Sequence, residues 1–105
     1  MEVLPRTVVA CQTDEETEPF TEWLDTLDPK TEAIAIERVD RLERGLFGDC
    51  EPVGDGVYEL RIDFGPGYRI YFGLVNDVVH LIRGGKKKGQ QKDIDAAKEF
   101  WNEHD

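Results

Sequence analysis

The spacing of apolar residues changes character once along this chain. Between residues 17 and 46 it is helical. Phe20, Trp23, Leu24 and Leu27 stand at i, i+3, i+4 and i+7, giving a helix one apolar face. Thr17 is placed to cap that helix, and Pro19 falls in its first turn, where a missing N–H does no harm. Asp28-Pro29 stops the run and restarts it, Asp28 as cap and Pro29 as first helical residue. Ala35, Val39, Leu42 and Leu46 keep the period, with Ile34 and Ile36 beside them, and Gly45 is a natural stop. The pattern predicts a helical hairpin with a short connection.

Beyond a Gly- and Asp-rich stretch, residues 45–56, which reads as a loop, the period becomes two. Tyr58, Leu60, Ile62 and Phe64 alternate with Glu59, Arg61 and Asp63. After Gly65-Pro66-Gly67, Ile70, Phe72 and Leu74 alternate with Arg69, Tyr71 and Gly73. Asn76-Asp77 signals a second turn before Val78-Val79-His80-Leu81-Ile82, a nearly continuous apolar strand ended by Gly84-Gly85. Lys86-Lys87-Lys88-Gly89 follows as a loop, and Ile94, Ala97 and Trp101 mark a last helix over residues 91–103. Arg6 to Gln12 reads as a short first strand, ended by Asp14-Glu15-Glu16. The order β-α-α-β-β-β-α segregates strands from helices, so the expected class is α+β with a mostly antiparallel sheet, built as a single domain over residues 1–105.

The alternation also predicts a register. A three-residue loop at 65–67 sets Phe64 opposite Tyr68, Ile62 opposite Ile70 and Leu60 opposite Phe72; a two-residue loop would set apolar against polar positions. On the other face Asp63 then meets Arg69, and Arg61 meets Tyr71. A two-residue turn at Asn76-Asp77 adds Tyr71 opposite Ile82, Gly73 opposite His80 and Arg69 opposite Gly84. One sheet face would gather Arg61, Arg69, Tyr71 and His80, rimmed by Lys86, Lys87 and Lys88. Such a face suits a phosphate. Each member also has a structural reading: the arginines as solvated partners of Glu59 and Asp63, the lysines as a solvated loop, Tyr71 and His80 as packing residues.

Charge sharpens the picture. The net charge of −10 disfavours nucleic acid at first sight, but it is unevenly spread. Residues 1–56 hold 15 acids and 5 bases, residues 57–92 hold 3 acids and 7 bases, and residues 93–105 return to −4. One basic tract therefore lies inside an acidic protein, and local potential decides what a surface attracts. Other chemistry finds little support. Cys11 and Cys50 lie far apart without ligand partners, which fits two thiols in a reducing cytosol. No apolar run approaches the ~20 residues that cross a bilayer, and Met1 to Arg6 lacks the features of a signal peptide. The chain contains no serine, the carboxylates show no convergent pair, and Gly65-Pro66-Gly67 is a turn rather than a phosphate loop. Neither a metal nor a cofactor is expected.

Four stretches resemble a known family: Phe20 to Leu27, Gly56 to Ile62, Gly65 to Phe72, and Leu81 to Ile94 with its Gly84-Gly85-Lys86-Lys87, glutamine and Asp93-Ile94 elements. In this order and spacing they are similar to the phage-derived, HigB-like branch of the RelE superfamily, the addiction-module killer proteins. The resemblance implies a small α+β toxin whose sheet binds messenger RNA in the ribosomal A site. It implies cleavage without metal, the 2′-hydroxyl attacking the adjacent phosphate to leave a cyclic phosphate. Arg61, Arg69 and Lys87 would stabilise charge and move protons, with Tyr71 a further candidate. Lys86, Lys88, Lys92 and His80 would contact RNA. The expected partner is a helix-turn-helix antitoxin encoded nearby, and the expected location is the cytoplasm. Two departures stand out: the net charge is acidic where such toxins are basic, and Lys86 replaces an acidic or polar residue. A non-catalytic binding module that keeps the fold and its antitoxin contact is the alternative.

Overall fold

The computed structural model describes residues 4–104. Met1-Glu2-Val3, part of the segment read for a signal peptide, lies outside the described residues. The elements are β1 (Thr7–Ala10), α1 (Pro19–Asp25), α2 (Pro29–Glu43), β2 (Cys50–Gly54), β3 (Val57–Ile62), β4 (Tyr68–Val75), β5 (Val78–Lys86) and α3 (Gln90–His104). One five-stranded sheet runs β1-β5-β4-β3-β2, with β1 parallel to β5 and every other pair antiparallel. This is the expected α+β class with one strand more than the pattern predicts.

The helical hairpin forms for the reasons its sequence suggests. Asp28 accepts from the Thr31 backbone N–H (3.3 Å) and from its hydroxyl (2.6 Å), and Pro29 opens α2. At the far end Leu46 N–H reaches the Arg41 carbonyl and Gly45 N–H the Leu42 carbonyl, a Schellman closure that needs Gly45 at φ 78. Leu46 consequently leaves the helix and is exposed. Glu18, not Thr17, occupies the cap position of α1; the Thr17 hydroxyl bonds to that of Thr13 instead. Phe20, Ala35 and Leu42 pack with Leu60, Ile62, Ile70, Phe72, Val79 and Leu81 on one sheet face. On the other face Ile94, Ala97 and Trp101 of α3 cover Val57, Tyr71 and Ile82.

Residues 50–54, expected as loop, form the edge strand β2. Asp55-Gly56, at φ 58 and 83, turns the chain from β2 into β3, an Asp-Gly hairpin that favours positive φ at both positions. Pro52, which would interrupt a central strand, is tolerated on the edge beside a bulge.

The β3–β4 register differs from expectation by two residues. Gly67 N–H donates to the Phe64 carbonyl (3.0 Å), closing a turn over residues 64–67 and drawing Asp63 and Phe64 out of the ladder. Ile62 therefore pairs with Tyr68, Leu60 with Ile70, Arg61 with Arg69 and Glu59 with Tyr71. A shift of two preserves which face each residue occupies. Between β4 and β5 a register shift at Tyr71/Phe72, with Ile82 the extra residue in β5, sets Tyr71 opposite Arg83 rather than Ile82 and Arg69 opposite Gly85 rather than Gly84, while Gly73 meets His80 as expected. Nor do Gly84-Gly85 end β5, which continues to Lys86.

Candidate functional site

The alternation that buries Leu60, Ile62, Ile70 and Phe72 under the hairpin sends Glu59, Arg61, Arg69 and Tyr71 to the α3 side. Helix α3 covers the Tyr71 part of that face and leaves the end near the 64–67 turn open. There a cleft of about 260 Å³ is lined by Asp49, Arg61, Asp63, the Gly65-Pro66-Gly67 turn, Arg69 and Lys87. Lys87 N–H donates to the Gly67 carbonyl (2.9 Å), stitching the lysine loop to the turn. Gly67, at φ 87, leaves room for this approach: a Cβ there would stand 3.2 Å from the Lys87 Cβ and 3.7 Å from Arg69 Nη1.

Direct cross-strand pairing of Arg61 with Arg69 sets like charges together, which is unfavourable in itself. Glu59 resolves it. Its Oε1 lies 3.9 Å from the Nε of both arginines, and its Oε2 accepts from the Tyr71 hydroxyl (3.2 Å) and from Gln90 Nε2 (2.6 Å) at the start of α3. This carboxylate is only 3% exposed, so its partners on three elements hold it in one place. The sequence offers Glu59 only as a solvated partner of an arginine; the fold buries it and sets it between both. The signal was its i, i+2 relation to Arg61, which puts both on one face.

The two arginines live differently. Arg69 is 8% exposed and donates from Nη1 to the Tyr68 carbonyl (3.0 Å), so the solvated strand position offered by its sequence is corrected to a buried one. Arg61 is more open and is held by acids of the edge strand: Nη2 lies 2.6 Å from Glu51, and Nε 3.4 Å from Asp49. The Glu51 contact raises the Arg61 pKa further above its ordinary value. The Nε atoms of both arginines are buried and make no hydrogen bond among the described residues; each faces the Glu59 carboxylate, and that of Arg61 also faces Asp49. In all, three cations (Arg61, Arg69, Lys87) meet four carboxylates (Asp49, Glu51, Glu59, Asp63). The acids of residues 49–51 counted with a distant acidic half in the sequence; β2 brings them onto Arg61.

Other expected site residues separate from this cleft. Tyr71 is fully buried beneath α3, opposite Glu59 rather than Arg61, and burial together with the Glu59 charge raises its pKa. It holds Glu59 and is not placed to move a substrate proton. His80 is half-buried, its ring 5.5 Å from that of Trp101, in a separate cleft beside Val9 and Val75. Lys86 turns to the hairpin side of the sheet, into a cleft with Trp23 and Tyr68. Lys88 and Lys92 are exposed and do not line the arginine cleft. Arg83 is engaged with Asp93 at 3.0 Å. Burial pushes the thiols of Cys11 and Cys50 up to about 11, leaving little thiolate at neutral pH. Among the described residues no group of three or more His, Cys, Asp or Glu could hold a metal ion, and no helix is long and apolar enough to cross a membrane.

This architecture is a small α+β fold whose sheet carries a helical hairpin on one face and a terminal helix on the other. It belongs to the phage-derived Gp49-like protein family, whose model matches residues 22–102. An uncharacterised protein of Haemophilus influenzae is 47% identical over 81 residues, spanning 75% of this chain and 82% of that protein. The fold is also that of a chain in the toxin–antitoxin complex RelBE2 of Mycobacterium tuberculosis. That match has a TM-score of 0.60 at 21% identity and covers 80% of this chain and 100% of the other.

Proposed function

We propose that this protein is the toxin of a toxin–antitoxin pair, of the HigB-like branch of the RelE superfamily, and cleaves messenger RNA on the ribosome in the cytoplasm. The observation that carries this reading is the convergence of Arg61, Arg69 and Lys87 around one small cleft. The family membership and the RelE-like fold support it. In the proposed reaction the 2′-oxygen forms a bond to the adjacent phosphorus as the bond to the 5′-oxygen breaks. Arg69 and Lys87 stabilise the phosphorane charge, with Arg61 joining them. Asp63, lining the same cleft, accepts the 2′-hydroxyl proton, and the Lys87 ammonium gives a proton to the departing 5′-oxygen. Lys86, Lys88 and Lys92 attract the RNA chain. The partner is an antitoxin with a helix-turn-helix operator-binding domain.

Induced expression with a growth readout tests the reading. Lys87→Ala should abolish arrest without loss of stability, since Lys87 is exposed; loss of one transition-state contact lowers rate about 10²–10³-fold. Arg69→Ala should abolish arrest and lower stability together, because Arg69 is buried. Lys98→Ala, on α3 outside the cleft, should leave arrest unchanged. Full arrest from an Arg69→Ala/Lys87→Ala double variant would refute the catalytic assignment.

One observation favours a second reading. Arg61 is already paired with Asp49 and Glu51, which suits a non-catalytic module that keeps the antitoxin contact. On that reading the unmodified chain causes no arrest yet binds its antitoxin. Gain of arrest in an Asp49→Asn/Glu51→Gln variant would show that these acids restrain a competent cleft.

A further inference from the structure

On the opposite side of the same strand ends lies a second cleft, of about 580 Å³, lined by Trp23, Thr26, Leu27, Asp28, Tyr68, Gly85 and Lys86. Its position follows from alternation. Tyr68 and Lys86 pair across β4 and β5, and their chain neighbours Arg69 and Lys87 line the arginine cleft on the other face. The two clefts thus lie back to back at one end of β4 and β5, where neighbouring Cα atoms are about 3.8 Å apart.

The cleft is built around an indole laid flat. A Cβ at Gly84 would run into Cδ2, Cε2 and Cε3 of Trp23, the atoms at the centre of the ring system, so one face of the indole rests on the bare backbone of β5. Phe20 and Tyr68 hold its edges, with ring centroids 5.9 and 6.4 Å away, both tilted. Trp23 nevertheless stays only half-buried and borders the cleft. A fixed aromatic surface beside an exposed lysine is the composition that single-stranded nucleic acid uses, bases stacking on rings while cations follow the backbone. Asp28 also lines the cleft, held ionised by the Thr31 hydrogen bonds, which lower its pKa. Its charge keeps phosphate out of the interior and leaves the rim at Lys86 for the backbone.

We propose that this cleft takes a nucleobase flanking the scissile phosphate, stacked on Trp23 with Lys86 on its phosphate, while Arg69 and Lys87 hold the reacting phosphate around the strand ends. The inference rests on the RNA-cleaving reading and names a second subsite for it.

The test uses the full chain and a short single-stranded RNA with 2′-O-methyl sugars, which cannot be cleaved. Tryptophan fluorescence should be quenched on binding, and Trp23→Phe should remove most of the quench, because the remaining Trp101 is buried under α3. Trp23→Leu should weaken binding by roughly 5- to 150-fold, the range for loss of one stacked base. Lys86→Ala, a change at an exposed position, should reduce the salt slope by about 0.7, one single-strand phosphate contact. Unchanged RNA affinity in folded Trp23→Leu and Lys86→Ala, with binding still lost in Arg69→Ala/Lys87→Ala, overturns the subsite and leaves the arginine cleft standing. Quenching by the antitoxin but not by RNA also overturns it, assigning the cleft to protein. An unmodified chain with no RNA affinity overturns both.

Discussion

The two faces of the sheet use the same alternating strands for opposite purposes. On the hairpin face, Leu60, Ile62, Ile70, Phe72, Val79 and Leu81 form a continuous apolar layer against Phe20, Ala35 and Leu42. On the α3 face, the apolar layer of Val57, Tyr71 and Ile82 gives way within two residue pairs to Glu59, Arg61 and Arg69. The first face gets its stability from area, which is non-directional and tolerant of geometry. The second concentrates charge where it is half withdrawn from water, and is stable only because every buried charge finds a counter-charge. Glu59 does this for Arg61 and Arg69, and α3 fixes Glu59 through Gln90. A charged cleft can therefore sit on a small domain without weakening it, provided the opposite face carries the stability.

Substitutions on each side should break the comparison in different ways. The largest effect belongs to the hairpin face: Phe72→Ala, at a fully buried position stacked on Tyr58, should lower unfolding free energy by about 3–5 kcal/mol. Urea denaturation measures it, and any loss of arrest should track the unfolded fraction. On the α3 face Glu59→Gln leaves two facing guanidinium groups without their shared carboxylate, and should destabilise by about 1–3 kcal/mol. Its distinguishing mark is that added salt should recover part of the loss, which salt will not do for Phe72→Ala beyond a general effect.

Alkali probes both faces at once. The folded state raises the thiols of Cys11 and Cys50 from an ordinary value of 9.0 to about 11, and raises Tyr71 in the same direction. A raised acid binds its proton more tightly when folded, so the stabilisation is complete below pH about 9 and is lost as pH climbs through about 11. Urea midpoints should hold steady to pH about 9 and then fall, and Cys11→Ala/Cys50→Ala should flatten the fall. The smallest effect is at the surface: Arg41→Ala removes an exposed i, i+4 pair with Glu37 at 2.7 Å and should cost at most about 0.5 kcal/mol by thermal unfolding.

What the sequence made legible follows the same division. The hairpin face was readable because its apolar residues recur with clear periods, and the parity of Leu60, Ile62, Ile70 and Phe72 survived a two-residue error in register. Strand β2 was not readable by period, since Cys50-Glu51-Pro52-Val53 has a proline and little alternation. The Asp55-Gly56 turn was its one local mark. The charged face was legible as a set of residues but not as an arrangement. Arg61 and Arg69 share a face as the pattern predicts, yet the burial of Arg69, the hub role of Glu59 and the capture of Arg61 by Asp49 and Glu51 depend on where α3 and β2 dock. Those are tertiary facts with no period. His80 shares that face by parity, yet its pairing with Gly73 sets it four residues along β4 from Arg69, beside Trp101.

The two indoles impose a further condition on how this chain can vary. Trp101 presses on Gly73 from one side of the sheet as Trp23 presses on Gly84 from the other, and Asp93 occupies the space above Gly85. Helices α1 and α3 are thus each seated by a side chain set into a notch in the strand backbone, like a peg in a drilled board. In a library randomised at every glycine, positions 73 and 84 should return almost nothing but glycine, because even one added methyl lifts a whole helix. Position 89, whose surroundings are empty, is limited only by its φ of 93 and should admit asparagine. The insertions and charge changes that would retune the clefts are therefore open to the turns and strand ends, while the boards into which the pegs fit are closed to change.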